Sequence, residues 1–184
     1  MNTQLKNTSK LLSFLLRHQP EAIGLTLDSQ GWANIDELIA CAVAHKKTIS
    51  REAIVQAVAQ NDKQRFTLSR DGEFIRANQG HSIKVDLQLL PVTPPDILYH
   101  GTASRFMPSI ETQGILPSGR HHVHLSADRH TAFEVGKRHG QVVILTVFAG
   151  QMSEAGIEFF QSENGVWLTS RVAPEYYSVV KTET

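Results

Sequence analysis

The periodic spacing of apolar residues predicts three helices in the first third of the chain. Their N-caps are predicted at Ser9, Asn34 and Ser50. The first helix runs through a leucine-rich stretch to His18 and stops at Pro20, which cannot continue a helix. The second is expected from Ile35 to about Ala44. Residues 65–69 and 73–76 then alternate as two short strands around Asp71-Gly72, a sequence typical of a two-residue hairpin. Three helices followed by a β-ribbon indicate a winged-helix plan.

The second half of the chain has a different pattern, richer in strands. Three prolines between Pro91 and Asp96 exclude helix and central strand, so we expect two domains, 1–90 and 91–184. Strands are predicted at 97–100, 122–126, 142–148, 159–160 and 166–168, and helices at 106–113 and after Asp128. Gly114 is suited to end the first of these helices. The fold class is therefore α+β.

Composition limits the classes of function. The chain has 184 residues, 41% of them hydrophobic, but no apolar run long enough to span a membrane. Its single cysteine, Cys41, excludes an internal disulfide, indicates a reducing cytoplasmic location and is expected in the core. The formal net charge is zero, so the protein is not a generically basic nucleic-acid binder. Any contact with nucleic acid must then come from a local group of residues.

Six of the nine histidines fall between His100 and His139, which points to chemistry in the second half. Alternation along residues 122–126 places His122, His124 and Ser126 on one strand face. Zinc is the obvious rival interpretation of this pattern. No HExxH or CxxC sequence accompanies it, however, and we expect no metal. The chain also lacks the glycine-rich signatures of Rossmann and P-loop nucleotide binding.

Three further groups have two interpretations each. Arg17 and His18 can serve as cationic residues in the last turn of a helix, or can bind a ligand. Arg65 can be a solvated strand arginine or part of a site. The segment from His100 through Gly101 to Thr102 suits a ribose and a diphosphate, but it also suits a plain strand-to-turn junction.

Six segments in order resemble the KptA family of RNA 2′-phosphotransferases. They are LLSFLLRH (11–18), DKQRF (62–66), LYHGT (98–102), RHHVHLS (120–126), VGKRHG (135–140) and NGVWLT (164–169). The resemblance spans about residues 5–180. It implies an N-terminal winged-helix RNA-binding lobe joined to a C-terminal ADP-ribosyltransferase-like lobe that binds NAD⁺.

The resemblance also implies roles for individual residues. The family's catalytic residues fall on Arg17, His18, Arg65 and Arg120. Its NAD⁺-binding residues fall on His100, Gly101, Thr102, His124 and Ser126, and a hydrophobic third signature position falls on Val166. His121, beside Arg120, receives no role.

The activity implied is removal of an internal 2′-phosphate from RNA. The phosphate is transferred to NAD⁺ through an ADP-ribosylated RNA, giving 2′-hydroxyl RNA, nicotinamide and ADP-ribose 1″,2″-cyclic phosphate. The expected partners are this RNA and NAD⁺, with no membrane and no obligate protein partner. An alternative is an ADP-ribosyltransferase acting on nucleic-acid phosphate ends or on protein. A third possibility is an NAD⁺-sensing winged-helix regulator, but residues 50–60 offer few base-reading side chains.

Overall fold

The chain folds into two compact units, Met1–Gln88 and Leu89–Thr184, here called unit 1 and unit 2. This is a computed structural model, and it describes residues 3–61 and 63–180. Asp62, which opens the DKQRF segment, lies outside the described residues. Each unit has its own hydrophobic core. The proline-rich stretch from Pro91 to Asp96 forms no helix, and its one β contact is an isolated bridge from Pro91 to Phe160.

Unit 1 combines three α-helices with one small antiparallel sheet. The helices are α1 (Thr3–Arg17), α2 (Ile35–Ala44) and α3 (Arg51–Ala59); the strands are β1 (Ala33–Asn34), β2 (Phe66–Leu68) and β3 (Phe74–Ala77). The strand order is β1-β3-β2. A short 3₁₀ helix, Pro20–Ile23, follows α1. Leucines and isoleucines from all three helices form the core together with Phe66 and Ile75.

Two of the three expected helix caps are confirmed and one is wrong. The side chains of Asn34 and Ser50 accept hydrogen bonds from the backbone N–H groups three residues later, Glu37 at 3.0 Å and Ala53 at 3.2 Å. Ser9 caps nothing, because α1 begins at Thr3 and Ser9 is buried in its middle. The buried apolar stripe of α1 starts already at Leu5, and this periodicity outweighs the local preference of a serine for a cap.

The hairpin of unit 1 is also longer than expected. Strand β2 pairs with β3 so that Leu68 lies opposite Ile75, and Ser69 N–H donates to the Phe74 carbonyl at 3.0 Å. The loop therefore has four residues, not the two that Asp71-Gly72 predicts. Asp71 accepts hydrogen bonds from the Ser69 hydroxyl and from the Glu73 N–H, and these bonds stabilise the wider loop.

The described residues of unit 2 form three α-helices and two small antiparallel sheets. The helices are α4 (Met107–Gln113), α5 (Arg129–Gly136) and α6 (Ala149–Glu154); the strands are β4 (Leu98–Ala103), β5 (Val123–Leu125), β6 (Val142–Val147), β7 (Phe159–Gln161), β8 (Trp167–Thr169) and β9 (Tyr177–Val179). One sheet has the order β4-β6-β9 and the other β5-β8-β7. Gly114 ends α4 and Asp128 caps α5, as expected. Strands β1 and β9 and helix α6 were not predicted.

The fold is therefore a mixed α/β one: the described residues form six α-helices and three small sheets, in which every strand pair is antiparallel. The core of unit 2 packs around Leu98, Leu145 and Phe159. Within residues 3–61 and 63–180, no helix has the length and apolar character needed to cross a bilayer. Cys41 is partly buried and packs against the core of unit 1.

Candidate functional site

The C-terminal end of α1 holds Arg17 and His18 in defined positions. The Arg17 guanidinium lies over the Phe66 ring, 5.8 Å from its centroid, and its Nε and Nη2 atoms are buried. His18 Nδ1 lies 2.9 Å from the Ser82 hydroxyl oxygen, and Ser82 N–H donates to the Arg17 carbonyl at 2.9 Å. The segment at Ser82 thus packs against the end of the helix and contacts both Arg17 and His18.

Arg65 is fixed through a buried asparagine. Asn61 is 4% exposed, and its Oδ1 accepts from Arg65 Nη1 at 3.3 Å and from Lys63 N–H at 3.1 Å. On the other side, Asn78 N–H donates to the Arg65 carbonyl at 2.9 Å. The Asn78 side chain donates to the carbonyl of Gln64, a residue with a positive φ of 40°. Two side-chain amides, those of Asn61 and Asn78, therefore hold Lys63, Gln64 and Arg65 in place ahead of strand β2.

His18 and Arg65 line the same surface groove of unit 1. The groove has a volume of about 630 Å³, and Lys6, Lys10 and Phe14 on α1 also contribute to its walls. The sequence places His18 and Arg65 47 positions apart, and the fold brings them together. Such a groove offers cationic and imidazole donors suited to a phosphate.

In unit 2, β4 and β5 bring His100 next to His124. The backbone N–H and C=O groups of Tyr99 and Ser126 exchange two hydrogen bonds of 2.8 Å, which aligns the strands. His100 Nδ1 donates a hydrogen bond to the His124 carbonyl at 3.0 Å. Burial lowers the pKa of His100, the hydrogen bond to the His124 carbonyl raises it, and electrostatic repulsion from His139 lowers it, so that the net shift is downward. The ring is neutral at pH 7, and its Nε2 is a hydrogen-bond acceptor.

Arg120 is exposed in the turn before β5, where its Nη1 donates to His124 Nδ1 at 3.3 Å. Because Nδ1 of His124 acts as an acceptor, its Nε2 carries the proton and can donate. His100 and His124 thus present one acceptor nitrogen and one donor nitrogen. The alternation expected in this segment is confirmed: Val123 and Leu125 are buried, while His124 and Ser126 are partly accessible.

Gly101 and Thr102 lie deeper than His100. A Cβ atom on Gly101 would stand 1.7 Å from the Ala132 carbonyl oxygen, so glycine here allows α5 to pack directly on β4. Thr102 is 5% exposed and shares a strand face with His100. Helix packing is therefore sufficient reason for a glycine at position 101.

The histidines of the RHHVHLS segment do not gather into a metal cluster. Within the described residues, no group of three or more His, Cys, Asp or Glu side chains is placed to hold an ion. His122 packs on the Phe160 ring at 5.6 Å, and burial together with neighbouring His121 lowers its pKa. Leu168 lies opposite His124 in the β5–β8 pairing, and Val166 precedes β8.

Sequence reasoning did not single out Ser82, Asn61 or the lysines of α1. Ser82 contacts His18 although the two residues are 64 positions apart in the sequence, and local sequence patterns do not predict contacts at that separation. The lysine Lys6 was missed because the first helix was expected to begin only at Ser9. The spacing of Lys6, Lys10 and Phe14 in steps of four was the available signal.

Comparison with known proteins identifies the family. Residues 3–171 match the RNA 2′-phosphotransferase, Tpt1 / KptA family. The chain is 57% identical over 181 residues to a "Probable RNA 2′-phosphotransferase" of Acaryochloris marina, covering 98% of this chain and 100% of the relative. It is 56% identical over 174 residues to a protein of the same name from Escherichia coli O9:H4, covering 94% and 95%. The chain belongs to the RNA 2′-phosphotransferase, Tpt1 / KptA family.

Proposed function

We propose that this protein removes an internal 2′-phosphate from RNA and that it consumes NAD⁺ as the acceptor substrate. The observation that carries the proposal is the groove of unit 1 that His18 and Arg65 line together, with Arg17 next to His18 in the sequence at the end of α1, in a chain that belongs to this family. Planar arginine forks bind phosphate oxygens in pairs and hold them in a fixed orientation. The two relatives described above are both named as probable RNA 2′-phosphotransferases, and this name specifies RNA as their substrate.

The two units receive separate roles in this proposal. Unit 1, with three helices and a three-stranded antiparallel sheet, is assigned as a winged-helix lobe that binds RNA. Unit 2 is assigned as an ADP-ribosyltransferase-like lobe that binds NAD⁺.

The polar groups of unit 2 fit the NAD⁺ assignment. His100 Nε2 as an acceptor, His124 Nε2 as a donor and the Ser126 hydroxyl suit ribose hydroxyls and a carboxamide. Gly101 and Thr102 are assigned to the same binding region, where Gly101 contributes through its backbone.

The first chemical step joins RNA to ADP-ribose. A 2′-phosphate oxygen attacks the ribose carbon that bears nicotinamide; the carbon–nitrogen bond breaks and nicotinamide leaves with the electron pair. Because the ribose carbon develops cationic character, this step needs orientation of the nucleophile more than a strong acid. Arg17 and Arg65 are assigned to orient the phosphate, and His18 is assigned to contact it.

The second step releases the RNA. The 2″-hydroxyl of the attached ADP-ribose attacks phosphorus, the bond from phosphorus to the RNA 2′-oxygen breaks, and that oxygen takes up a proton. The products are 2′-hydroxyl RNA and ADP-ribose 1″,2″-cyclic phosphate. Negative charge increases on the phosphoryl oxygens here, and Arg17, Arg65 and Arg120 are assigned to stabilise it. His18 is assigned to proton transfer in this step.

The decisive assay incubates the protein with NAD⁺ and an oligonucleotide that carries one internal 2′-phosphate. We expect 2′-hydroxyl RNA, nicotinamide and the cyclic phosphate in equal amounts, and no reaction without NAD⁺. Removal of the phosphate without NAD⁺, or as inorganic phosphate, contradicts the proposal. A reaction that stops at ADP-ribosylated RNA supports the alternative of an ADP-ribosyltransferase.

The role of Arg120 is tested separately. Loss of one charged donor from such a site costs about 3–4 kcal/mol, or 10²–10³ in rate. Arg120→Ala should therefore slow the second step far more than the first, so that ADP-ribosylated RNA accumulates in a time course. Arg120→Lys should restore little, because a point charge lacks the paired donors of a guanidinium. Arg171→Ala, a change at another exposed arginine of unit 2, serves as the control. Equal slowing of both steps contradicts the assignment.

A further inference from the structure

The groove that contains His18 and Arg65 continues along α1 beyond the residues that the reaction uses. Lys6, Lys10 and Phe14 line this continuation. Lys6 and Lys10 are exposed, and no acidic side chain is among the described residues that line the groove. The overall net charge of the chain is zero, so this local excess of positive charge is a property of the groove and not of the whole protein.

The spacing of these residues makes them a continuous row. Lys6, Lys10, Phe14 and His18 follow each other at intervals of four, and residues four apart are neighbours on a helix surface. At a rise of 1.5 Å per residue, the twelve positions from Lys6 to His18 cover about 18 Å of helix axis. The row therefore leads away from His18 over a length suited to an extended polymer rather than to one phosphate.

Phe14 adds an aromatic surface to this row. Its side chain is 42% exposed, whereas the other large apolar residues of α1 are buried in the core of unit 1 or, like Leu11, partly buried against it. A single exposed aromatic residue is ordinary on a protein surface, but this one lies in a groove beside two lysines. Proteins that bind single-stranded nucleic acid use two kinds of side chain. Cationic side chains such as lysine contact the phosphates of the backbone, and aromatic rings stack on the bases.

We infer that this part of the groove, named the α1 groove and formed by Lys6, Lys10 and Phe14, binds the single-stranded RNA next to the 2′-phosphorylated nucleotide. Lys6 and Lys10 contact backbone phosphates, and Phe14 stacks on a base. The inference rests on the proposed function, because that function places RNA at His18 and Arg65. Since neither lysine nor a stacking ring reads base edges, the α1 groove should bind RNA with little sequence preference.

The first test compares RNA binding by two matched double variants. One carries Lys6→Gln and Lys10→Gln; the control carries Lys46→Gln and Lys47→Gln, which are exposed lysines of unit 1 outside the α1 groove. Binding of a fluorescently labelled eight-nucleotide RNA is followed by anisotropy over a series of salt concentrations. Loss of two phosphate contacts should lower the slope of log Kd against log salt by about 1.4. Over a fourfold increase in salt, the Kd of the variant should therefore rise about sevenfold less than the Kd of the wild type. The control should keep the wild-type slope.

The second test uses turnover of RNAs of different length. Substrates are a dinucleotide with an internal 2′-phosphate and the same dinucleotide extended by six nucleotides on the 5′ side or on the 3′ side. The loss of kcat/KM in the Lys6/Lys10 variant should be larger for one extended substrate than for the dinucleotide, which identifies the side that occupies the α1 groove. A loss that is independent of length on both sides overturns the inference.

Substitutions of Phe14 separate stacking from general hydrophobic contact. Phe14→Trp should keep or strengthen the binding of the labelled RNA, and Phe14→Leu should weaken it, because leucine keeps apolar bulk without a flat ring. Equal binding by both variants overturns the stacking role.

Failure of the inference and failure of the proposed function give different results. If the wild-type protein leaves the 2′-phosphate on every substrate, the proposed function fails, while anisotropy still decides whether the α1 groove binds RNA. If the wild type is active and the Lys6/Lys10 variant matches its control in slope and turnover, the inference alone fails. Thermal unfolding of each variant, expected to match the wild type because the lysines are exposed, verifies folding.

Discussion

Gly101 provides the sharpest test of how the region of unit 2 that we assign to NAD⁺ is packed. The change is Gly101→Ala, which adds one methyl group where the Ala132 carbonyl oxygen would be only 1.7 Å away. Real Cβ contacts essentially never fall below 3.0 Å, so β4 and α5 must move apart by more than 1 Å. The contact joins two backbones, so no side chain can rotate to relieve it. Overpacking of this kind costs about 3 kcal/mol.

The expected loss is measurable by thermal unfolding. For a domain of roughly 100 residues, each kcal/mol lowers Tm by about 4–8 °C, so the transition of unit 2 should fall by at least about 12 °C. Gly156→Ala is the matched control: it lies in the same unit with nothing within 4 Å of its Cβ position, but its φ of +84° adds strain. That strain costs about 1 kcal/mol.

Two outcomes refute this reasoning. If Gly101→Ala melts within a few degrees of the wild type, the packing of α5 on β4 does not require glycine. If the variant is stable but has lost its affinity for NAD⁺, the glycine serves approach of the ligand and not of the helix. Destabilisation larger than that of the Gly156→Ala control is the result that supports packing.

Two further predictions concern histidines, one in each unit. Ser82→Ala removes the hydrogen-bond partner of His18 Nδ1, worth about 1 kcal/mol, so kcat should fall roughly fivefold while the KM for NAD⁺ stays unchanged; an equal change in both parameters contradicts a positioning role. The lowered pKa of His100 means that the unfolded chain binds its proton first as the pH falls through about 6.5, so His100 contributes to the loss of stability below that pH. Tm should therefore fall less steeply between pH 7.5 and pH 5 in His100→Gln than in the wild type, and parallel curves contradict the prediction.

Helix boundaries were predictable where short-range chemistry determines them. Asn34, Ser50 and Asp128 each bond to a backbone N–H three residues away, so the sequence contains both partners of the cap within one turn. The same holds for Gly114 at the end of α4. Ser9 has the right residue type, but the apolar stripe that begins at Leu5 extends the helix past it.

Long-range contacts were not predictable in the same way. The two-residue strand β1 forms because β3 offers it a partner far along the chain: Ala33 lies opposite Ile75, 42 positions later. A strand this short has no periodicity of its own. The grouping of Asn61 with Arg65 and of Ser82 with His18 depends on the loops that carry them. The resemblance to a family could indicate Arg17, His18 and Arg65 as candidate catalytic residues. It could not indicate which neighbouring residues hold their side chains in position.

The hydrogen bonds of Ser82 determine where unit 1 can be cut out of the chain as a fragment. The last strand of unit 1 ends at Ala77, and a fragment cut there would keep all three helices and the sheet. It would nevertheless lack the group that binds the Arg17 carbonyl and the His18 ring. His81, 2% exposed, and the Asp86 N–H, which donates to Ser29, show that the chain after β3 is still part of the unit. The boundary of a fragment of unit 1 must therefore be chosen by what holds Arg17 and His18 in place, and not by the end of the last strand.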